Sequence, residues 1–394
     1  MIKTIKDFEL DNKIVIIRCD LNVPIVNGKI LDDNRIRESL KTITYAMDNN
    51  AKVILMSHMG RIKEESDKAL NTLLPVAKRL SELIGKNVIF VNETRGTVLE
   101  EKVRNMKPGD VLLMENTRYE DFPDKKESSN DESLSKYWAS LGDLFINDAF
   151  GTAHRSHASN VGIAAFLPSG IGFLMEKEIK ALSGVLNTPE KPYVVIMGGA
   201  KMNDKIKVID KLALKADYLL LAGGIANTFL VANNVDMKKS KYDKDSICFV
   251  KELMKKYPDK IILPVDGYGS TSYEDELEVF YEDINNIKDD IMILDIGPKT
   301  VELFSKYIKN SKTIFWNGPV GVSEFKNFEY GTKEICKLLK ESSAKVIIGG
   351  GDSAAAAIRF GYKNEFYHIS TGGGASLKFM EGEELPGLKV LEEK

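Results

Sequence analysis

Apolar residues along this chain come in short unbroken runs, and most runs are followed by a stretch with helical period. In the first half the runs lie at 14–17, 53–56, 88–91, 111–114 and 144–146, with amphipathic stretches such as 35–47 and 72–84 between them. The second half repeats the plan at 193–197, 218–221, 261–263, 292–294, 313–316, 346–348 and 367–369. Runs that are apolar on both faces suit parallel strands covered by helices. The alternation of strand and helix predicts two doubly wound, Rossmann-like α/β domains with parallel sheets.

Pro168-Ser169-Gly170 closes the first half, and Asn187-Thr188-Pro189 stops a helical pattern that begins at Phe173. The expected organisation is an N-terminal domain over 1–172, an interdomain helix over 173–187 and a C-terminal domain over 188–379. A ligand cleft is expected between the domains. The tail from 380 to 394 has little core of its own and must lie against something. The acidic segment 121–132 reads as a solvated loop.

Composition narrows the partners. The chain has 394 residues, 43% hydrophobic and 29% charged, with a net charge of −3. That is ordinary for a globular protein of two domains and gives no reason to expect a nucleic-acid or membrane partner. The three cysteines, Cys19, Cys248 and Cys336, show no CxxC or zinc spacing, which fits a reducing compartment. The first residues carry no apolar signal-peptide core, and the longest uncharged stretch, 161–175, contains Pro168 and glycines. The expectation is a cytoplasmic protein.

Ligands of open α/β sheets bind at the carboxyl ends of the strands. In the second half those ends are glycine corners: Gly198-Gly199-Ala200-Lys201, Gly223-Gly224, Gly349-Gly350-Gly351-Asp352-Ser353 and Gly372-Gly373-Gly374. Such corners leave N–H groups uncovered at the positive end of a helix, where a phosphate fits. They are also explained by tight turns with close helix packing. Asp352 reads either as a helix N-cap or as a carboxylate for Mg²⁺, which favours one or two carboxylates plus phosphate oxygens. Lys201 and Lys205 stand four apart at an expected helix start, where cations oppose the dipole unless an anion sits between them.

In the first half the strand ends carry arginine and histidine instead: Arg18, His58 with Arg61, Arg118, and His154 with Arg155 and His157. Asp20 and Asn22 could simply shape a turn, and Arg35 could pair with Asp32 or Asp33. The concentration on one sheet edge is better explained by arginines forking onto a carboxylate or phosphate. The chain contains no P-loop, HRD…DFG set, GxSxG or HExxH motif, and Gly349-x-Gly351 does not complete GxGxxG.

Taken together and in order, RCDLNVP, DDNRIR, SHMGR, LLMENTRYE, INDAFGTAHRSHAS, GFLMEKEI, VIMGGAKMNDKI, LLAGGIANTFL, DIGPKT, FWNGPVGVSEF, VIIGGGDSAAA and STGGGASLKFMEG resemble the phosphoglycerate kinase family nearly end to end. The resemblance implies reversible phosphoryl transfer between MgATP and the carboxylate of 3-phosphoglycerate, giving 1,3-bisphosphoglycerate and MgADP, after hinge closure in a monomer. It implies phosphoglycerate binding by Asp20, Leu21, Asn22, Arg35, His58, Met59, Gly60, Arg61, Arg118 and Arg155. It assigns nucleotide to Lys205, Ile293, Asn317, Glu324, Gly350, Gly351, Asp352 and Ser353, with Asp352 on Mg²⁺. Arg35 and Lys201 would stabilise the transferring group, helped by N–H groups around Gly350 and Gly373. The tail would return to the N-terminal domain.

The acceptor is a carboxylate that is already ionised at neutral pH, so no general base is required. Positioning and charge neutralisation suffice, and these residue types supply them. The chain departs from the family pattern at Cys19, at Ile293, at Gly267-Tyr268-Gly269-Ser270 and at Val320. None of these is a charged catalytic position. The rival readings are a non-catalytic nucleotide-binding protein, which need not keep Arg35, Lys201 and Asp352, and a nicotinamide-dependent dehydrogenase, which fits the fold class alone.

Overall fold

The computed structural model describes residues 2–275 and 278–392. Residues up to 179 together with those from 384 form one compact unit, and residues 180–383 form a second. The division falls inside the helix Phe173–Asn187. The segment from Glu384 belongs to the first unit, while 380–383 belong to the second. The last two residues of the expected tail, 393 and 394, lie outside the described residues.

The first unit contains β1 (Ile14–Cys19), a two-stranded hairpin of β2 (Ile25–Val26) and β3 (Lys29–Ile30), then β4 (Lys52–Met56), β5 (Val88–Val91), β6 (Val111–Met114), β7 (Leu144–Asp148) and β8 (Ser169–Ile171). Apart from the hairpin these make one parallel sheet in the order β5-β6-β4-β1-β7-β8. Every residue of β6 and β7 is buried, which is why they read as unbroken apolar runs. β1 is central, with β4 on one side and β7 on the other, so the winding direction reverses there. The crevice for a ligand is expected at the carboxyl end of such a strand.

The second unit contains β9 (Tyr193–Met197), β10 (Tyr218–Leu221), β11 (Ile261–Ile262), β12 (Asp266–Ser270), β13 (Phe280–Asp283), β14 (Met292–Ile296), β15 (Thr313–Asn317), β16 (Lys345–Gly349) and β17 (His368–Ile369). Its parallel sheet runs β11-β10-β9-β15-β16-β17 and reverses between β9 and β15. The two parallel sheets are the two expected from the sequence. The run at 292–294 is a correction, because β14 is not a parallel strand of the large sheet. It lies with β12 and β13 in a separate antiparallel sheet.

The departure at 267–270 has a steric reason in that small sheet. A Cβ on Gly267 would stand 2.8 Å from Ile293 Cγ2 and 2.8 Å from the Asp295 carbonyl oxygen. A Cβ on Gly269 would stand 2.5 Å from the Met292 carbonyl oxygen. Strands this close exclude side chains between them, and the space left by Gly267 is taken by Ile293.

The acidic segment 121–132 is a second correction. Glu127 is fully buried, and Asp121 accepts from the Ser128 amide at 2.7 Å. The correction is confined to that anchor, since residues 123–125, 128, 129 and 132 are exposed, as a solvated loop requires.

Candidate functional site

Four adjacent strand ends of the first unit bring its cations together. β1 runs into Asp20, Leu21 and Asn22; β4 into His58, Met59 and Gly60; β6 into Asn116 and Arg118; and β7 into the segment that carries Arg155. Hydrogen bonds between these loops fix their spacing. The Leu21 amide donates to Ser57 Oγ at 2.9 Å, and the Gly60 amide to Asn22 Oδ1 at 3.1 Å. Asn116 accepts from the Met59 amide at 3.0 Å and donates to the Met59 carbonyl at 2.7 Å. Gly60 has φ +56 with the Asn71 side chain packed where a Cβ would stand, so any other residue there would be strained and would displace Asn71.

Arg18 is buried at 0% exposure beneath this edge. Its Nε donates to Ser159 Oγ at 2.9 Å, and Nη2 lies 3.3 Å from His58 Nδ1. A guanidinium has only donors, so His58 Nδ1 is the acceptor and its proton sits on Nε2. Burial, reinforced by Arg18, Arg118, Arg155 and Arg35, holds the imidazole well below its ordinary pKa. His58 is therefore a neutral donor and not a cation. His157 is also neutral, pushed down to about 3 by burial and by Arg18, Arg118 and Arg155.

The true charges are the arginines. Arg35 Nη1 donates to Asp20 Oδ2 at 2.9 Å and to the Asn22 carbonyl at 3.3 Å, not to Asp32 or Asp33. Asp33 instead pairs with Arg37 and Arg79. Arg118 Nη1 donates to the Gly60 carbonyl at 3.2 Å, while its Nε is buried without a partner. Burial lowers the pKa of Arg118, and Arg155 lowers it further by repulsion. Arg61 is exposed. Asp20 Oδ1 is also buried without a partner. The edge therefore has an unmet donor and an unmet acceptor among mutually repelling cations, as a small hydroxylated anion would require.

In the second unit the strand ends are backbone-lined. Gly198 ends β9 so close to the loop after β15 that a Cβ would stand 2.0 Å from the Pro319 carbonyl oxygen. A Cβ on Gly224 would meet the Ala200 carbonyl oxygen at 2.5 Å. Lys205 Nζ donates to the Gly198 carbonyl at 2.6 Å, and the Gly318 amide donates to Ser353 Oγ at 3.1 Å. Gly350 and Gly373 have φ +84 and +51 and precede the helices Gly351–Arg359 and Gly374–Met380.

Beside this corner is a cavity of about 460 Å³. Of the residues singled out in the sequence, Ile293, Glu324 and Asp352 line it, together with Gly199, Gly223 and Gly224. Lys205, Asn317, Gly350 and Ser353 lie in the network beneath the loops and do not line it. Lys201, Gly351 and Gly373 are not in its wall either. The i, i+4 lysine expectation is corrected: Lys205 caps the helix Ile206–Ala213, and Lys201 precedes a separate short turn, Asn203–Lys205. Lys201 is exposed. Asn227, Lys241, Tyr273 and Arg359 also line the cavity and were not found from the sequence. They carry no glycine corner or strand end that would have marked them.

An arginine-lined strand edge in one unit and a glycine-walled cavity in the other define an α/β phosphotransferase. The comparisons say which. A model of the phosphoglycerate kinase family matches residues 5–383. The chain is 53% identical to the phosphoglycerate kinase of Macrococcus caseolyticus and 52% identical to that of Staphylococcus aureus, each over 393 residues covering 100% of this chain and 99% of the relative. It also resembles the solved phosphoglycerate kinase structures of Coxiella burnetii (TM-score 0.89, 36% identity, covering 100% of this chain and 99% of that one) and Pyrococcus horikoshii (0.87, 34%, covering 100% and 98%). The chain belongs to the phosphoglycerate kinase family. It is an enzyme of glycolysis that transfers a phosphoryl group between ATP and 3-phosphoglycerate.

Proposed function

We propose that the arginine-lined edge is the phosphoglycerate site and the glycine-walled corner the nucleotide site, with in-line transfer after hinge closure. The observation that carries this reading is Arg118: a buried guanidinium, repelled by Arg155, whose Nε has no partner. An anionic phosphate or carboxylate relieves both deficits at once. Asp20, Leu21, Asn22, Arg35, His58, Met59, Gly60, Arg61, Arg118 and Arg155 surround it. His58 donates from Nε2, and Asp20 Oδ1 accepts from a substrate hydroxyl.

Lys205, Ile293, Asn317, Glu324, Gly350, Gly351, Asp352 and Ser353 make the nucleotide site. The Asp352 carboxylate makes no hydrogen bond or ion pair among the described residues, and the residue lines the cavity, which fits a carboxylate kept for a divalent cation. Mg²⁺ held there would neutralise phosphate charge. Arg35 and Lys201 stabilise the transferring group, with N–H groups around Gly350 and Gly373, and the ionised acceptor needs no base. The protein is read as a cytoplasmic monomer acting on small molecules.

The test is ADP formation from ATP with and without 3-phosphoglycerate, plus an EDTA control. Release that needs both 3-phosphoglycerate and Mg²⁺ is expected. Folded protein whose ADP release ignored 3-phosphoglycerate would overturn the reading.

A further inference from the structure

Three side chains on the wall of the 460 Å³ cavity form a linked set that the proposed roles leave unused. The Tyr273 hydroxyl donates to Glu324 Oε1 at 3.1 Å. The Tyr273 ring lies against Phe325, centroids 5.1 Å apart, and the Lys241 ammonium stands 4.6 Å from the Tyr273 centroid. Asn227 in turn holds the backbone of Lys241, donating to its carbonyl at 2.9 Å. Tyr273 is nevertheless 43% exposed, so it is not there to fill a core.

A glutamate on an exposed loop has several rotamers, and selecting one for a ligand costs entropy at binding. The phenol removes that freedom. It bonds Oε1 and leaves Oε2 without a partner among the described residues, on a side chain of the cavity wall. A carboxylate oxygen presented there is a natural acceptor for the hydroxyls of a ribose. We propose that Tyr273 is a positioning residue for nucleotide selection: it fixes Glu324 so that the enzyme prefers a ribonucleotide over one lacking ribose hydroxyls, and Lys241 holds the Tyr273 ring in place. This rests on the reading that the cavity takes the nucleotide and that Glu324 faces it.

The experiment is calorimetric titration of the full-length protein with ADP and with 2′,3′-dideoxy-ADP. The readout is the ratio of the two dissociation constants in wild type, Tyr273→Phe, Lys241→Met and Glu324→Ala. In wild type ADP binds more tightly, and in Glu324→Ala the preference disappears. In Tyr273→Phe the preference shrinks roughly threefold to tenfold, the range of one net hydrogen bond. The loss falls on ADP, while the dideoxy nucleotide keeps its affinity. Lys241→Met shifts the ratio the same way by less.

A ratio unchanged in Tyr273→Phe, or equal losses for both ligands, overturns the positioning role while leaving the nucleotide site intact. No ADP binding by wild type, or an undiminished preference in Glu324→Ala, removes the underlying reading and the inference with it.

Discussion

Arg18 and Glu127, both fully buried, are joined through one hydroxyl: Ser159 Oγ accepts from Arg18 Nε at 2.9 Å and donates to Glu127 Oε1 at 2.5 Å. The Ser159 amide also donates to Glu127 Oε2 at 3.0 Å. Burial raises the carboxyl's pKa, and the guanidinium pulls it back. Removing one member leaves a buried charge without compensation. Glu127→Ala is expected to cost about 3–5 kcal/mol of unfolding free energy and to weaken 3-phosphoglycerate binding through His58. Arg18→Met combined with Glu127→Leu is expected to be less damaging than the sum of the singles. Urea unfolding of the full cycle measures it, and additive losses would contradict the pairing.

Arg35→Ala and Lys201→Ala each remove a cation assigned to the transferring group. Each is expected to lower kcat by about 10²–10³, the usual size for one preorganised electrostatic partner. Lys201 is exposed, so its variant should keep the unfolding midpoint, whereas Arg35→Ala also strips the buried Asp20 carboxylate of its 2.9 Å partner and should lower it. Near-normal turnover in either variant would remove it from the transfer step.

Two buried carboxyls set a pH dependence. Burial pushes Asp148 up to about 7, against the Thr42 hydroxyl and the Met175 and Leu174 amides, and pushes Asp295 up to about 8, against the Gly331 and Ile296 amides. An unfolded aspartate ionises near ~3.9. Between that value and the folded one, the folded state keeps a proton that the unfolded state has lost. Their contribution to stability is therefore present below about pH 4 and is lost as pH rises, toward about 7 for Asp148 and about 8 for Asp295, at up to ~1.4 kcal/mol per pH unit each. The buried neutral histidines His58 and His157 act in the opposite sense, so the clean comparison is by difference. Asp148→Asn and Asp295→Asn should each flatten the decline of unfolding free energy across its own window. A slope that does not change in either variant would contradict the assignment.

Gly267 and Ile293 share one volume. Gly267→Ala is expected to cost about 1–3 kcal/mol by overpacking. Ile293→Ala in the same chain removes the crowding Cγ2 and should relieve only part of the strain, because the Asp295 carbonyl oxygen is equally close to the new Cβ. Thermal unfolding of the singles and the double decides it, and an alanine tolerated at no cost would refute the steric account.

The sheets were legible because strands buried on both faces leave long apolar runs, as β6, β7, β9 and β15 do. β12 was not, since its two glycines around a half-buried aromatic look like a turn until β14 is placed beside it. Met292 to Leu294 misled for the related reason that an apolar run does not say which sheet it joins. The cations of the first unit could be listed from strand ends, but not their charge states. Arg18 looked like one more ligand and is a buried support, and His58 and His157 looked basic and are neutral. Those facts depend on depth, which composition does not report. Tyr273 and Lys241 gave no signal, because their meaning lies in the contact of Tyr273 with Glu324 and of Lys241 with the Tyr273 ring, both made across the cavity wall.

The tail helix Pro386–Glu392 has a consequence for how the molecule is made. The Gly387 amide donates to the Ala153 carbonyl at 2.9 Å, and Gly387 lies so close that a Cβ would stand 3.0 Å from the Ala153 Cα. Asn147 at the end of β7 reaches the Gly387 carbonyl, 240 residues further along the chain. The unit that leaves the ribosome first is thus the one completed last. Until the second unit has been synthesised, the ends of β7 and the loop that carries Arg155 lack a neighbour, and the arginine-lined edge waits on residues 240 positions further along the chain.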